Sequence, residues 1–329
     1  MTNLTNLPNE LLTPIFTFIH PRKVFKLRRL SKRINSILTT THFALQVLTS
    51  TVGPPGPHLD ALTMVMLYSG SEYGSTAVST DFLFAPPAFQ EVIAGLYWKH
   101  RPKMIQNLRK SGQKGSDWKL LAKIPPAVGL MTSLTHVELT GFDGSIPSEI
   151  GMLVNLEILQ ITDCAFDDAV IPNELGMLMK LKMLAIDNCN ISGPFPEVVC
   201  SLVGLDRLSL VSNRLYGNIP ASIGNLKQLT RLQLSHNNLS GPIPQEIGYI
   251  EELDTLDLSH NKLSGSIPQS FSQLGHLWIM HLNNNLLTGE IPREFLENCQ
   301  TLSNGYPLDF VLTNNVGLHC DESIFPLKL

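Results

Sequence analysis

Between residues 205 and 292 the apolar and polar positions recur four times with one period. Asn213, Asn237, Asn261 and Asn285 stand 24 residues apart, as do Gly217, Gly241, Gly265 and Gly289, and Pro220, Pro244, Pro268 and Pro292. Each unit reads L-x-x-L-x-L-x-x-N-x-L-x-G-x-I-P-x-x-I/F-x-x-L/I, for example Leu229, Leu232, Leu234, Asn237, Leu239, Gly241, Ile243, Pro244, Ile247 and Ile250. The apolar pair Leu232 and Leu234 brackets polar Gln233 with a period of two, which predicts a short strand burying one face. Asn then turns the chain and offers its amide to backbone groups of the neighbouring unit. Gly permits the next turn, and Pro ends strand pairing before the return segment. A single unit cannot bury its apolar edge alone, so the units must stack into a solenoid with a strand-lined concave face.

The same frame extends upstream. Units open at Leu134, Leu156, Leu181, Leu205, Leu229, Leu253 and Leu277, and residues 123–129 read as the second half of an earlier one. The first full unit is two residues short and carries Phe142 at the Asn place; the second is one residue long, with Asp168 in place of Gly. Cys164 and Cys189 hold the Asn place in the second and third, where a thiol is a structural substitute for Asn; a redox pair or metal site is the alternative. These features resemble the leucine-rich repeat, and the added G-x-I-P resembles its plant-type subfamily. The resemblance implies an α/β solenoid over residues 119–301, with short parallel strands on the concave face and an irregular or 3-10 convex side. Residues 302–329 are expected to form a C-terminal cap. There Asn315-x-Gly317-Leu318-x-Cys320 is similar to the closing segment of plant-type arrays. In secreted relatives that cysteine is disulfide-bonded, which would make Cys299 the partner of Cys320.

Residues 1–50 have a different texture. Leu7, Leu11, Leu12, Ile15, Phe16 and Ile19 recur at helical spacing until His20-Pro21 breaks the pattern. Val24, Phe25 and Leu27 suggest a second short helix, and Ser31 can cap a third that carries Ile34, Ile37 and Leu38. With Leu7-Pro8, Glu10-Leu11-Leu12, the Pro21 turn and the Leu30-Ser31-Lys32-Arg33 run, this stretch resembles the F-box. Pro14 inside the first helix and Ile34, where many members have Trp, depart from that pattern. The resemblance implies a small three-helix domain that docks a Skp-type adaptor through Leu7, Pro8, Leu11, Leu12, Ile15 and Ile19, and membership of a cullin complex. The alternative is a helical cap on the solenoid, although some 80 residues separate the two. Residues 51–118 read as a Pro/Gly-rich link followed by an N-terminal cap, with Phe89, Val92, Ile93, Leu96 and Tyr97 on one face of a helix near 87–98.

Composition narrows the function. The chain has 329 residues, is 43% apolar and carries a net charge of -4, which describes a protein able to bury a large core. Its five cysteines form no C-x-x-C pair, and their odd number argues against a disulfide framework. No signal peptide or membrane-spanning stretch is read, so the expected setting is the cytoplasm or nucleus, without membrane contact. Arg22, Lys23, Lys26, Arg28, Arg29, Lys32 and Arg33 form a basic strip between Glu10 and Asp60. Apart from Phe25 the strip lacks interleaved aromatics, and it carries no nucleic-acid motif, so a solvated face or a protein contact is read rather than nucleic-acid binding. No phosphate-binding loop, nucleophile elbow, zinc motif or calcium loop occurs, and neither catalysis nor a cofactor is expected.

What remains is protein recognition. Residues at the second, third, fifth, seventh and eighth places of each unit are expected to point out of the concave sheet: Glu157, Ile158, Gln160 and Asp163; Lys182, Met183 and Asp187; Arg207; Arg231, Gln233 and His236; Asp254, Asp257 and His260; Trp278, Ile279 and His281. Arg207 and Arg231 share a column and are expected to stack about 5 Å apart, as a grip for an acidic or phosphorylated segment. Trp278 would supply a rigid anchor. The two functions in play are an F-box/leucine-rich-repeat substrate receptor of an SCF-type ubiquitin ligase, with an unknown protein substrate, and a stand-alone plant-type ligand-binding solenoid.

Overall fold

The computed structural model describes residues 68–69, 77–78, 123–124, 126–295 and 309–319. The helices expected in 1–50, the helix near 87–98, Cys299 and Cys320 lie outside the described residues. Tyr68–Ser69 and Ala77–Val78 form a small antiparallel pair. Everything else described belongs to the array.

Eight parallel strands line one face in chain order: His136–Thr140, Ile158–Thr162, Met183–Asp187, Arg207–Ser209, Arg231–Gln233, Thr255–Asp257, Ile279–His281 and Asp309–Val311. The register is uniform, so Leu208, Leu232, Leu256 and Met280 pair in one row. Residues on either side of each unit's fifth place point inward as the alternation predicts. Leu159 and Ile161, Leu184 and Ile186, Leu208 and Leu210, and Leu232 and Leu234 are all fully buried. Behind each of the first six strands a five-residue 3-10 turn follows the repeat's proline, as in Ser148–Met152 or Gln245–Tyr249, and closes the core with Ile150 or Ile247. These turns approach so closely that a Cβ on Gly248 would collide with the backbone of Ser270 in the next repeat.

The convex side is more regular than expected. The L-x-G segments pair into a second parallel sheet of six strands: Ser192–Pro194, Arg214–Gly217, Asn238–Pro242, Lys262–Gly265, Leu286–Glu290 and Gly317–His319. Asp143–Gly144 and Ala165–Phe166 form a separate pair in the first two repeats. The second sheet accompanies the 3-10 turns expected on that side. Five of these six strands carry one buried leucine, Leu215, Leu239, Leu263, Leu287 or Leu318, and a glycine such as Gly241 at φ 75° turns the chain out only after pairing has begun. Residues 309–319 add one strand to each sheet and so continue both layers to the end of the array.

Between the sheets runs the ladder of asparagines. Asn237 accepts from the Leu215 N–H at 3.0 Å and donates to the carbonyls of Leu210, Leu234 and Ser235 at 2.8, 3.1 and 3.3 Å. Asn213, Asn261, Asn285 and Asn315 repeat this arrangement, each tied to the repeat before it. The amide's two donors and two-lone-pair acceptor suit this position, where buried backbone groups would otherwise lose water without replacement.

Candidate protein-binding surface

The concave sheet presents its side chains in columns. Glu157, Lys182, Asp206, Thr230, Asp254 and Trp278 form the second-residue column; Ile158, Met183, Arg207, Arg231, Thr255 and Ile279 form the third. Gln160, Gln233, Asp257 and His281 lie half-buried in the fifth column, where Ala185 is buried. The strands of repeats four to seven are three residues long, so the alternation stops early. For that reason Ser235 and Ser259, at the seventh place, are buried rather than outward-facing. In the first three repeats the strands are longer and the seventh residues stay on the face: Thr140 and Thr162 share a 3.0 Å hydrogen bond. Asp187 there accepts from the Ser209 hydroxyl and the Val211 N–H at 2.7 and 2.9 Å. Burial nevertheless pushes the Asp187 carboxyl above its ordinary range, against the pull of those two donors.

The eighth residues lie in the left-handed region: Asp163, Asn188, Ser212, His236, His260, Asn284 and Asn314 have φ between 52 and 60°. They line one edge of the face, and several touch their neighbours along it. The Asn188 amide donates to Asp163 at 2.8 Å, the rings of His236 and His260 stack with centroids 4.1 Å apart, and His260 Nε2 meets the Asn284 amide at 3.2 Å.

Arg207 and Arg231 pair directly in register, as expected. They do not make a bare basic column. Arg207 Nε lies 3.4 Å from Asp206, and Arg231 Nε lies 3.7 Å from Asp254, while Lys182 meets Glu157 at 2.9 Å and lowers that carboxyl's pKa by donating to it. Adjacent columns therefore neutralise the cations. The face and its edge carry Glu138, Glu157, Asp163, Asp187, Asp206, Asp254, Asp257 and Asp309 against Lys182, Arg207 and Arg231, which leaves it net acidic.

Arg231, Asp254, Trp278 and Ile279, all expected on the face, converge on one depression of about 470 Å³ where the strands of the fifth to seventh repeats begin; Thr230, Thr255, Glu252 and His276 complete its wall. Trp278 is 56% exposed. Asp254 Oδ1 is shielded from water with no hydrogen-bond partner. Glu252 and His276 escaped the sequence reading because each sits just before the leucine that opens a repeat, in what looked like return segment.

A family model for the F-box domain matches residues 4–45, and one for the Leucine Rich Repeat matches 228–250 and 252–274. The chain thus combines an F-box match with leucine-rich repeats. Both parts of an F-box/leucine-rich-repeat chain are interaction modules. No curated protein matches the sequence. Among solved structures, the plant peptide hormone receptor RGFR1 in complex with RGF2 is 30% identical over 73% of this chain and 34% of the receptor chain, with a TM-score of 0.58. The ectodomain of the receptor kinase GASSHO1/SCHENGEN3 from Arabidopsis thaliana, in complex with CASPARIAN STRIP INTEGRITY FACTOR 2, is 28% identical over 70% of this chain and 28% of that chain, with a TM-score of 0.50. The chain thus spans about a third of the length of these receptor chains. No helix among its described residues is long and apolar enough to cross a membrane.

Cys164, Cys189 and Cys200 are buried free thiols. Cys164 Sγ accepts from the Phe142 N–H at 3.4 Å, as an asparagine would, and Cys189 Sγ donates to the carbonyls of Asp187 and Ile161 at 3.1 and 3.4 Å. A hydrogen bond with the Cys164 side chain, together with burial, pushes the Cys189 thiol far above its usual range, and a thiol kept protonated is a poor nucleophile or metal ligand.

Proposed function

We propose that this protein is the substrate receptor of an SCF-type cullin-RING ubiquitin ligase. The observation that carries the reading is the presence of an F-box at residues 4–45 in the same chain as a leucine-rich-repeat solenoid with a wide, polar, open face. The F-box holds a Skp-type adaptor through Leu7, Pro8, Leu11, Leu12, Ile15 and Ile19, and the concave face holds the protein to be ubiquitinated. The receptor does no chemistry itself: it raises the local concentration of target lysines near the ligase's catalytic subunits. Such a receptor works in the cytoplasm or nucleus. Replacing Leu7, Pro8 and Leu11 together by alanine is expected to abolish co-purification of adaptor and cullin while leaving the solenoid's melting temperature unchanged. If the intact protein captures no adaptor homologue from fungi, plants or animals, the reading fails.

The structural neighbours favour a second reading, a stand-alone ligand-binding solenoid, because they are plant receptors solved in complex with RGF2 and with CASPARIAN STRIP INTEGRITY FACTOR 2. The F-box weighs against it. Thiol labelling under non-reducing conditions separates the two: the ligase reading expects Cys299 and Cys320 as free thiols, whereas a Cys299–Cys320 bridge in protein from its native cell supports the stand-alone solenoid.

A further inference from the structure

We propose that the depression between Arg231, Asp254 and Trp278 receives a lysine or arginine side chain of the captured protein, so that the concave face selects a basic segment. This rests on the reading of the concave face as the capture surface. The argument begins with Asp254. In its column the other acids are satisfied from the next repeat: Glu157 takes the Lys182 ammonium at 2.9 Å, and Asp206 takes the Thr230 hydroxyl at 2.6 Å. Asp254 Oδ1 has no such donor, and Arg231 Nε stands 3.7 Å away, beyond hydrogen-bonding distance. A carboxylate oxygen shielded from water without a donor is unfavourable, and a guest ammonium or guanidinium supplies what is missing.

The rest of the wall fits the same guest. Trp278 follows Asp254 in the column and exposes more than half of its surface. An indole face attracts a cation within about 6 Å of the ring centroid and lies flat against the methylene stem of Lys or Arg. Glu252 on the wall adds a second carboxylate. Arg231, 47% exposed, has room to turn aside. The surplus of carboxylates over the whole face draws a basic segment towards the pocket and repels an acidic or phosphorylated one. The ligand chemistry is therefore the opposite of what the arginine column alone predicts.

The test uses the full-length protein and a random-peptide display library, followed by fluorescence anisotropy with the selected peptides and a phosphorylated acidic decapeptide. The expected pool is enriched in Lys and Arg, binds Asp254→Asn and Trp278→Ala at least tenfold more weakly, binds Arg231→Ala no more weakly, and loosens as salt rises. A pool without charge bias or rich in Asp and Glu, tighter binding of the phosphorylated peptide, or undiminished binding to Asp254→Asn overturns the proposal. Trp278→Ala, at an exposed position, keeps the test decisive should Asp254→Asn lower the melting temperature. Adaptor binding is measured on the same samples. Basic-peptide binding without adaptor binding leaves the pocket standing and removes the ligase reading; adaptor binding without peptide preference does the reverse.

Discussion

The first three repeats and the last four solve one packing problem differently. In the first three the concave strands run for five residues, the ladder position holds Phe142, Cys164 and Cys189, and the convex pair Asp143–Gly144 with Ala165–Phe166 stands apart from the second sheet. In the last four the concave strands shorten to three residues, asparagine fills every rung, and the second sheet is continuous. A thiol makes fewer and weaker hydrogen bonds than a carboxamide. Where the ladder is weak the backbone groups pair with each other along a longer concave strand; where it is strong the amide takes those groups and the chain turns sooner. The leucine core behind both is equally buried.

The comparison is broken most sharply at a rung. Asn237→Ala removes an acceptor and two donors from a buried site and orphans the Leu215 N–H, so unfolding by denaturant should show a loss of about 3–5 kcal/mol. Cores should not distinguish the halves: Leu232→Ala and Leu159→Ala are each expected to cost about 2–5 kcal/mol, and a clear difference between them would mean that the two ends are packed to different density. Cys164→Ala is expected to cost about 1 kcal/mol, since the S–H and S contacts it removes are long. A loss equal to that of Asn237→Ala would show that thiol and amide are equivalent rungs.

The smallest effect concerns pH. Burial raises the pKa of Asp187 from its ordinary 3.8, so the native state holds that proton more tightly than the unfolded chain does. Its contribution to stability is complete below the unfolded value and is lost as pH rises through the higher folded value. Asp187→Asn should flatten the stability curve in the interval just above pH 4, and a mutant curve parallel to the parent's there would show that the carboxyl is not buried in solution.

The array was legible because three registers repeat together, and Asn, Gly and Pro each have one physical role at their place. The second sheet was hidden: a segment such as Asn238–Pro242 has one apolar residue, a glycine and a proline, and alone it reads as a turn. Only stacking supplies its partners. The face was legible column by column, which is how Arg231, Asp254 and Trp278 were found. Its charge was not, because the carboxylates that neutralise the arginines come from the neighbouring column and, for Arg231, from the next repeat. Sequence order hides a contact between residues 23 positions apart.

The left-handed residues at the edge of the face also govern how such a molecule can change over generations. Each passes its backbone N–H to the following unit: Asn188 to Val211, Ser212 to Ser235, His236 to Ser259 and His260 to Asn283. The joint is written in main chain, so side chains as different as serine and histidine serve it equally. Duplication or loss of one 24-residue stretch of the gene product would leave every other joint unaltered and lengthen or shorten the face by about 4.8 Å, roughly one and a half residues of an extended guest. A lineage can thus tune how long a peptide it reads by copying units, with no new core to invent.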